Sequence, residues 1–473
     1  MLRARVLLAM IAGALAIVAF PGIALAHSLS GRVDSPLPLV AYIGAAGVAV
    51  ALSFFFIAIS DPGPPRDERP AETRKVPRRL RLAIRTLGLL GWLWIVVQAL
   101  IGGSSDADVS YLFLWVYGWV GLAVVSALIG PLWSWIDPFS TLHDVGSALL
   151  QRSGIQGIEQ QPYPARLGIW PAIAGICFVI WLELVAKVNG GQVLGFVLIG
   201  YTMVTLVGMA QYGKSAWRRN GETFSVWFGL LGRLAPFGSV GEPEEGRVHR
   251  RPFASGLVSE PWTADRVVLI ALGTGSILYD GASQTRPFFD IFGFPSLVSG
   301  TVLLATFLVG LSGLVLLVGR RVGLAAIGAG LVPVALGYLV AHYFTFILAD
   351  GQRILVALSD PFQQGWNLIG FLQYQANISF LPNSLVWGFQ VAAVVLGHVV
   401  GAWAGHAAIR GSAGLTARRA AAATSGSGAR RSAAPAPAAV QAPSQLPLAI
   451  LMVCLTSATL WSLGQNLVFA PPP

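Results

Sequence analysis

About ten apolar runs, each long enough to cross a bilayer, decide what this chain can fold into. A helix needs about 20 apolar residues to span ~30 Å of hydrocarbon. Runs of that kind lie near 38–60, 82–102, 111–136, 169–188, 192–213, 266–283, 297–319, 322–348, 384–409 and 446–468. The sixth is the weakest, because it is short and ends on Tyr279-Asp280-Gly281. In lipid every backbone polar group must be bonded internally, and long uniform runs do this as helices. The expected fold is all-α, a polytopic transmembrane helical bundle of about ten spans. Composition had the chance to refute this and does not. Only 11% of the 473 residues are charged and 55% are hydrophobic, against about 25% charged in a soluble domain. A water-soluble multidomain enzyme is therefore excluded, as is disorder over most of the chain. Cys177 and Cys454 sit inside apolar runs, which predicts small buried hydrophobes and no disulfide framework.

Sidedness follows from charge. Arg3 and Arg5, the apolar Val6 to Phe20 and the small-residue Ala24-Leu25-Ala26 make 1–26 a secretory signal pattern, with His27 as the mature start outside. An uncleaved anchor is the alternative. An even number of spans then returns the C-terminus to the outside. Cytoplasmic loops should hold the Lys and Arg. Most of the 31 do fall in 61–81, 137–168, 214–266, the turn at Arg320-Arg321 and 410–445, whereas Arg32, Lys187, Arg286 and Arg353 fall outside. The expectation is a multi-pass protein of the cytoplasmic (inner) membrane. The net charge of +10 then orients the chain and meets anionic lipid of the bilayer. Basic residues scattered over five segments offer no single basic face, so nucleic acid is not an expected partner.

Within this frame 27–410 is a membrane bundle of nine spans. The segment 411–445, rich in Ala, Ser, Pro and Arg, reads as a disordered cytoplasmic linker, and 446–473 as the final transmembrane helix and tail. Residues 223–237 suit a helix lying on the inner leaflet. The loop 349–383 is long enough to carry a fold of its own. Asp137-Pro138 starts a turn, with Ser140 or Thr141 placed to cap a short helix.

Ionisable residues inside spans are costly and therefore informative. Glu183, Asp280 and His342 all fall near the outer ends of their helices, with Asp350 and Asp360 just beyond. One reading is a metal site in which His342, Asp280, Glu183 and the deeper His398 bind zinc or a similar divalent ion and activate water. No short ligand spacing occurs, so these residues must converge from separate helices. The other reading is pairing across the bundle, with Glu183 and Lys187 one turn apart on one face. His398 and His406 are offset by about 80° and ~12 Å on a straight helix and cannot share an ion. Gly397, Gly401 and Gly405 recur at every fourth position and predict a close packing face. A mature His27 could chelate copper through its amine and imidazole. No Walker, dinucleotide-binding or nucleophile-elbow motif is present.

Several segments occur together: His27 with Ser35-Pro36-Leu37-Pro38, Trp133-Ser134-Trp135-Ile136-Asp137-Pro138-Phe139-Ser140-Thr141-Leu142, and Glu183-Leu184-Val185. They are joined by Gly221-Glu222-Thr223-Phe224-Ser225-Val226, Leu234-Ala235-Pro236-Phe237, Tyr279-Asp280-Gly281-Ala282-Ser283 and Ala341-His342-Tyr343. Ser359-Asp360-Pro361-Phe362, Gly397-His398 and Gly405-His406 complete the set. Together these resemble the fenitrothion hydrolase-type polytopic membrane proteins of bacteria, over nearly the whole chain except 411–445. At His406-Ala407 the chain departs from the His-Asp pair expected there. The resemblance implies hydrolysis of an organophosphorus phosphotriester, with Glu183, Asp280, His342 and Asp360 as catalytic candidates. Such a reaction needs an activated water, a polarised phosphoryl group and a stabilised phenolate. A lipophilic small-molecule substrate would reach the site from the bilayer. The competing expectations are a non-enzymatic transporter or copper- or zinc-handling protein, and a structural partner of a second membrane protein. A pathway needs polar groups spread through the membrane; a hydrolytic site needs them clustered.

Overall fold

The computed structural model describes residues 38–60, 73–102, 108–155, 157–188, 190–425 and 445–465. The expected signal segment 1–26, His27 and the remainder of the expected linker at 426–444 lie outside the described residues. Helix α1 covers Leu39–Ser60, α2 Arg78–Ile101 and α3 Val109–Leu128, the last wound as a π-helix over Leu112–Leu122. Short α4 (Trp133–Ile136) and α5 (Pro138–Arg152) follow, then α6 (Trp170–Leu184) and α7 (Gly191–Tyr212). Next come α8 (Lys214–Asn220), α9 (Thr223–Leu231), α10 (Ser255–Ser259), α11 (Ala264–Ser283) and α12 (Arg286–Phe292). The chain ends with α13 (Leu297–Val322), α14 (Leu324–Asp350), α15 (Ile354–Ser359), α16 (Asn383–Ser425) and α17 (Leu446–Leu463).

The protein is an all-α, multi-pass helical bundle. Nine helices among the described residues are long and apolar enough to cross a membrane. The sixth expected span, α11, does not meet that measure. It is instead a mostly buried helix, packed against α6, α13 and α14. A helix wrapped by protein needs no lipid-facing surface, so it can carry Asp265, Arg266 and Asp280 where a peripheral span could not. The peripheral helices show the opposite pattern. Cys177 and Cys454 are free, but both are exposed on the outer faces of α6 and α17 rather than buried. Apolar runs in a membrane bundle do not mark which face turns inward, because the solvent on the outer face is also apolar.

Glycine sets the closest contact of the bundle, between α14 and α16. A Cβ at Gly337 would meet the Ala393 carbonyl oxygen at 2.5 Å and Gly397 Cα at 3.0 Å, and one at Gly401 would collide with the Gly330 carbonyl. Only glycine lets these backbones approach this closely. The packing face expected at Gly397, Gly401 and Gly405 is thus formed. Helix α16 also runs on through 411–425, where the sequence predicted a linker; its alanines are the strongest helix formers.

At the end that the charge pattern places inside, three short strands form a sheet the sequence did not announce. Strand β1 (Thr73–Lys75) and strand β2 (Phe237–Val240) both pair antiparallel with β3 (Arg247–Arg250), giving the order β1-β3-β2. Gly241 and Gly246, at φ +71° and +68°, make the turn between β2 and β3. Helix α9 corrects another expectation. It does not lie on the inner leaflet, because Phe224, Trp227, Phe228, Leu230 and Leu231 are all buried. A short helix that is apolar all round is buried on every side.

Candidate active site

Glu183 lies one residue from the end of α6, Asp280 lies near the end of α11, and His342 and Tyr343 lie in the outer third of α14. All four therefore reach the same end of the bundle. Gly281 permits the final approach. A Cβ there would collide with Ser462 Oγ on α17 and come within 3.0 Å of the Tyr338 hydroxyl and 3.5 Å of the His342 ring. Without that side chain, α11 packs against α14 closely enough for Asp280 Oδ2 to lie 2.8 Å from His342 Nε2.

Tyr343 joins the second carboxylate to the first. Its hydroxyl is 3.1 Å from Glu183 Oε1 and 3.3 Å from Asp280 Oδ2. A hydroxyl has one proton, so for both contacts to be hydrogen bonds a second proton must be shared within the cluster. Both Asp280 oxygens have partners, since Oδ1 also accepts from Gln284 Nε2 at 2.7 Å. Glu183 differs: the Tyr343 bond occupies only its Oε1. Both carboxylates line a cavity of about 320 Å³, together with Lys187, Gln284, Phe288, Phe289 and Phe294. His342 and Tyr343 stand behind the carboxylates, off the cavity wall.

The expected pairing of Glu183 with Lys187 does not form. Helix α6 ends at Leu184, the chain folds back so that Val188 N–H donates to Leu182 O at 3.0 Å, and Lys187 takes φ +50°. The break in the helix ends the one-turn spacing that the pairing required.

The metal reading does not fit the donor set. Among the described residues no group of three or more His, Cys, Asp or Glu side chains is placed to hold an ion. His342 Nε2 is occupied by Asp280, and a tyrosine hydroxyl occupies the space between the two carboxylates. His398 is elsewhere, fully buried in α16, with Nδ1 donating to Val394 O of its own helix at 2.8 Å. Asp360 does not reach the cluster either. Its two oxygens accept from Gln364 N–H at 2.8 Å and Gly365 N–H at 2.7 Å, fixing the outer loop. Asp350 pairs with Arg353 at 2.7 Å. His406 meets Gln445 at 2.6 Å near the inner end.

Tyr343 is the residue that sequence reasoning passed over. It lies one position from His342, about 100° around the helix, so no spacing rule puts both against Asp280. Compared with family models, curated proteins and solved structures, the chain finds no match.

A second set of buried acids sits at the inner end. Asp137 caps α5, accepting from Phe139 N–H at 2.8 Å and Ser140 N–H at 3.3 Å, so the cap is Asp137 itself rather than Ser140 or Thr141. Glu222 caps α9 through Phe224 N–H at 3.0 Å and Ser225 N–H at 2.6 Å, and it accepts from Trp133 Nε1 and the Tyr201 hydroxyl. Arg218 lies 3.6 Å from Asp137 and 3.2 Å from Glu244, and Lys214 bridges Glu244 and Asp144 at 2.9 Å each. Burial, reinforced by the charge of Glu222, pushes the Asp137 carboxyl up to about 6 against the pull of Arg218 and Ser140. Burial also opposes the charge on Asp144, but bonds from His143, Arg85 and Lys214 outweigh it and hold that carboxyl below the usual range.

Proposed function

We propose that this chain is an integral membrane hydrolase whose site opens at the outer side of the cytoplasmic membrane. The proposed reaction is cleavage of lipophilic organophosphorus esters. One observation carries the reading: two carboxylates from different helices meet a single tyrosine hydroxyl at the wall of a cavity. Clustering of this kind suits chemistry at a point more than passage along a path. Glu183 has an oxygen left over for a water in the cavity and acts as the general base. The water proton passes to Glu183, the hydroxide oxygen bonds to phosphorus, and the phosphorus–oxygen bond to the leaving group breaks. A nitrophenolate leaves without needing a proton. Asp280, held by His342 and Gln284, positions Tyr343 and so the Glu183 carboxylate. No part of this sequence runs through a metal ion, in keeping with the donor geometry.

The test is release of nitrophenolate from a nitrophenyl phosphotriester by the purified full chain in detergent. Wild type should turn over and Glu183→Gln should lose about 10²–10⁴-fold, the usual weight of general base catalysis. Equal rates in both, or none above buffer, would overturn the reading. A second reading, a transporter or metal-handling protein, draws on a deeper buried polar atom. His398 Nε2 is buried with no hydrogen-bond partner among the described residues. That reading is favoured by a chain that releases no phenolate but moves protons or metal ions across sealed vesicles.

A further inference from the structure

Lys187 combines three features that its place in a connecting turn does not require. It is one of three non-glycine residues at positive φ among the described residues, a conformation that costs of order 1 kcal/mol for a side chain of this kind. The turn that imposes it is firmly held: Val185 and Ala186 N–H both bond Trp181 O at 3.0 Å, and Trp115 Nε1 from the π-helical part of α3 bonds Val188 O at 3.1 Å. Lys187 is exposed where it lines the same cavity as Glu183 and Asp280, and it forms no ion pair among the described residues. A residue needed only for the turn would be better replaced by glycine.

Part of the cavity lining is aromatic. Phe288 and Phe289 of α12, with Phe294 beyond it, face the cavity, while Ile291 and Phe292 remain 73% and 46% exposed on the outer rim. An exposed apolar rim at the end of a membrane bundle sits at the depth of lipid head groups and upper chains. The cavity thus joins a cation and two carboxylates to an aromatic lining, on a short helix that also exposes apolar side chains.

We propose that Lys187 anchors a phosphoryl oxygen by donating to it, and that the cavity takes an amphipathic phosphoryl ester drawn from the outer leaflet. The phosphoryl oxygen meets Lys187, and the apolar group lies along Phe288, Phe289 and Phe294. This names a substrate class for the hydrolase reading and rests on it only for turnover, since binding can be read alone. The ligand recognised is a phosphoryl oxygen joined to a hydrocarbon chain.

The probe is a long-chain alkyl phosphonate monoester, which a hydrolase of this kind does not cleave at its P–C bond, titrated into the full chain in detergent. A short-chain phosphonate and inorganic phosphate serve as soluble controls. The long-chain probe should bind, both controls at least about tenfold more weakly, and Lys187→Met should lose about tenfold or more, as expected for a charge-assisted contact. Lys187→Arg should recover part of the loss. Lys187→Gly relieves the backbone and should raise thermal stability while binding as weakly as the Met variant. Unchanged binding by Lys187→Met overturns the anchor, and inorganic phosphate binding as tightly as the long-chain probe overturns the amphipathic class. Lys187-dependent binding with no phosphotriester turnover upholds the anchor while discarding the hydrolase reading.

Discussion

The two ends of the bundle both bury acids, and they treat them differently. At the inner end Asp137 and Glu222 each cap a helix through two backbone amides, Arg218 supplies counter-charge to Asp137, and Lys214 does the same for Asp144 and Glu244. These carboxylates hold α4, α5, α8 and α9 together. At the outer end Glu183 and Asp280 cap nothing. Their partners are a histidine, a glutamine and a shared tyrosine hydroxyl, and both face a cavity. Acids held by two backbone amides are occupied; acids that share one hydroxyl beside a cavity keep capacity for a proton. Burial alone does not distinguish structural from reactive carboxylates, but the type of donor does.

The comparison is most easily broken by substitution. The largest effect should come from Glu183→Gln, with a rate loss of about 10²–10⁴-fold and little change in thermal unfolding. A large fall in stability instead would make the outer cluster structural. Next is Arg218→Ala, which strands the Asp137 charge and should cost about 3–5 kcal/mol in stability, read by denaturation in detergent, while turnover of the folded fraction stays near wild type. Loss of turnover without loss of stability would place chemistry at the inner end.

Smaller effects sharpen the contrast through pH. A raised carboxyl favours its protonated form in the folded state. Asp137 therefore contributes stability at low pH that is lost as pH climbs from its ordinary 3.8 through about 6. Asp137→Asn should remove that slope from the unfolding profile; an unchanged slope would mean that Asp137 is not its source. Asp144 has the opposite sign. Its depressed carboxyl stabilises the fold above 3.8, and the contribution fades as pH falls below that value. Asp144 is 39% exposed, so screening reduces the effect to the smallest of the four. The stability gap between wild type and Asp144→Asn should narrow on acidification, and a widening gap would contradict the assignment.

Much of this architecture could be read without coordinates. Apolar length fixed the helices, because a bilayer accepts little else, and even the anomalous sixth segment was marked by its polar ending. The four-residue glycine spacing in α16 announced close packing, since one face of a helix repeats at nearly that interval. The outer depth of Glu183, Asp280 and His342 was also legible, because each lies near the corresponding end of its apolar run. The failures share one cause. Asp360 and His398 carry the right chemistry at plausible depths, but local backbone partners already hold them.

Sequence by itself determined that the chain is a membrane bundle, where its helices run and which of their ends carry acids. Only the tertiary structure decided which acids meet. Helix rotation about its own axis is set by packing between neighbours, and in lipid an apolar pattern says little about which face turns inward. That rotation put Tyr343 between Glu183 and Asp280 and left His398 outside the cluster, while the breaks after Leu184 and Ser359 placed Lys187 at the cavity and Asp360 in the outer loop.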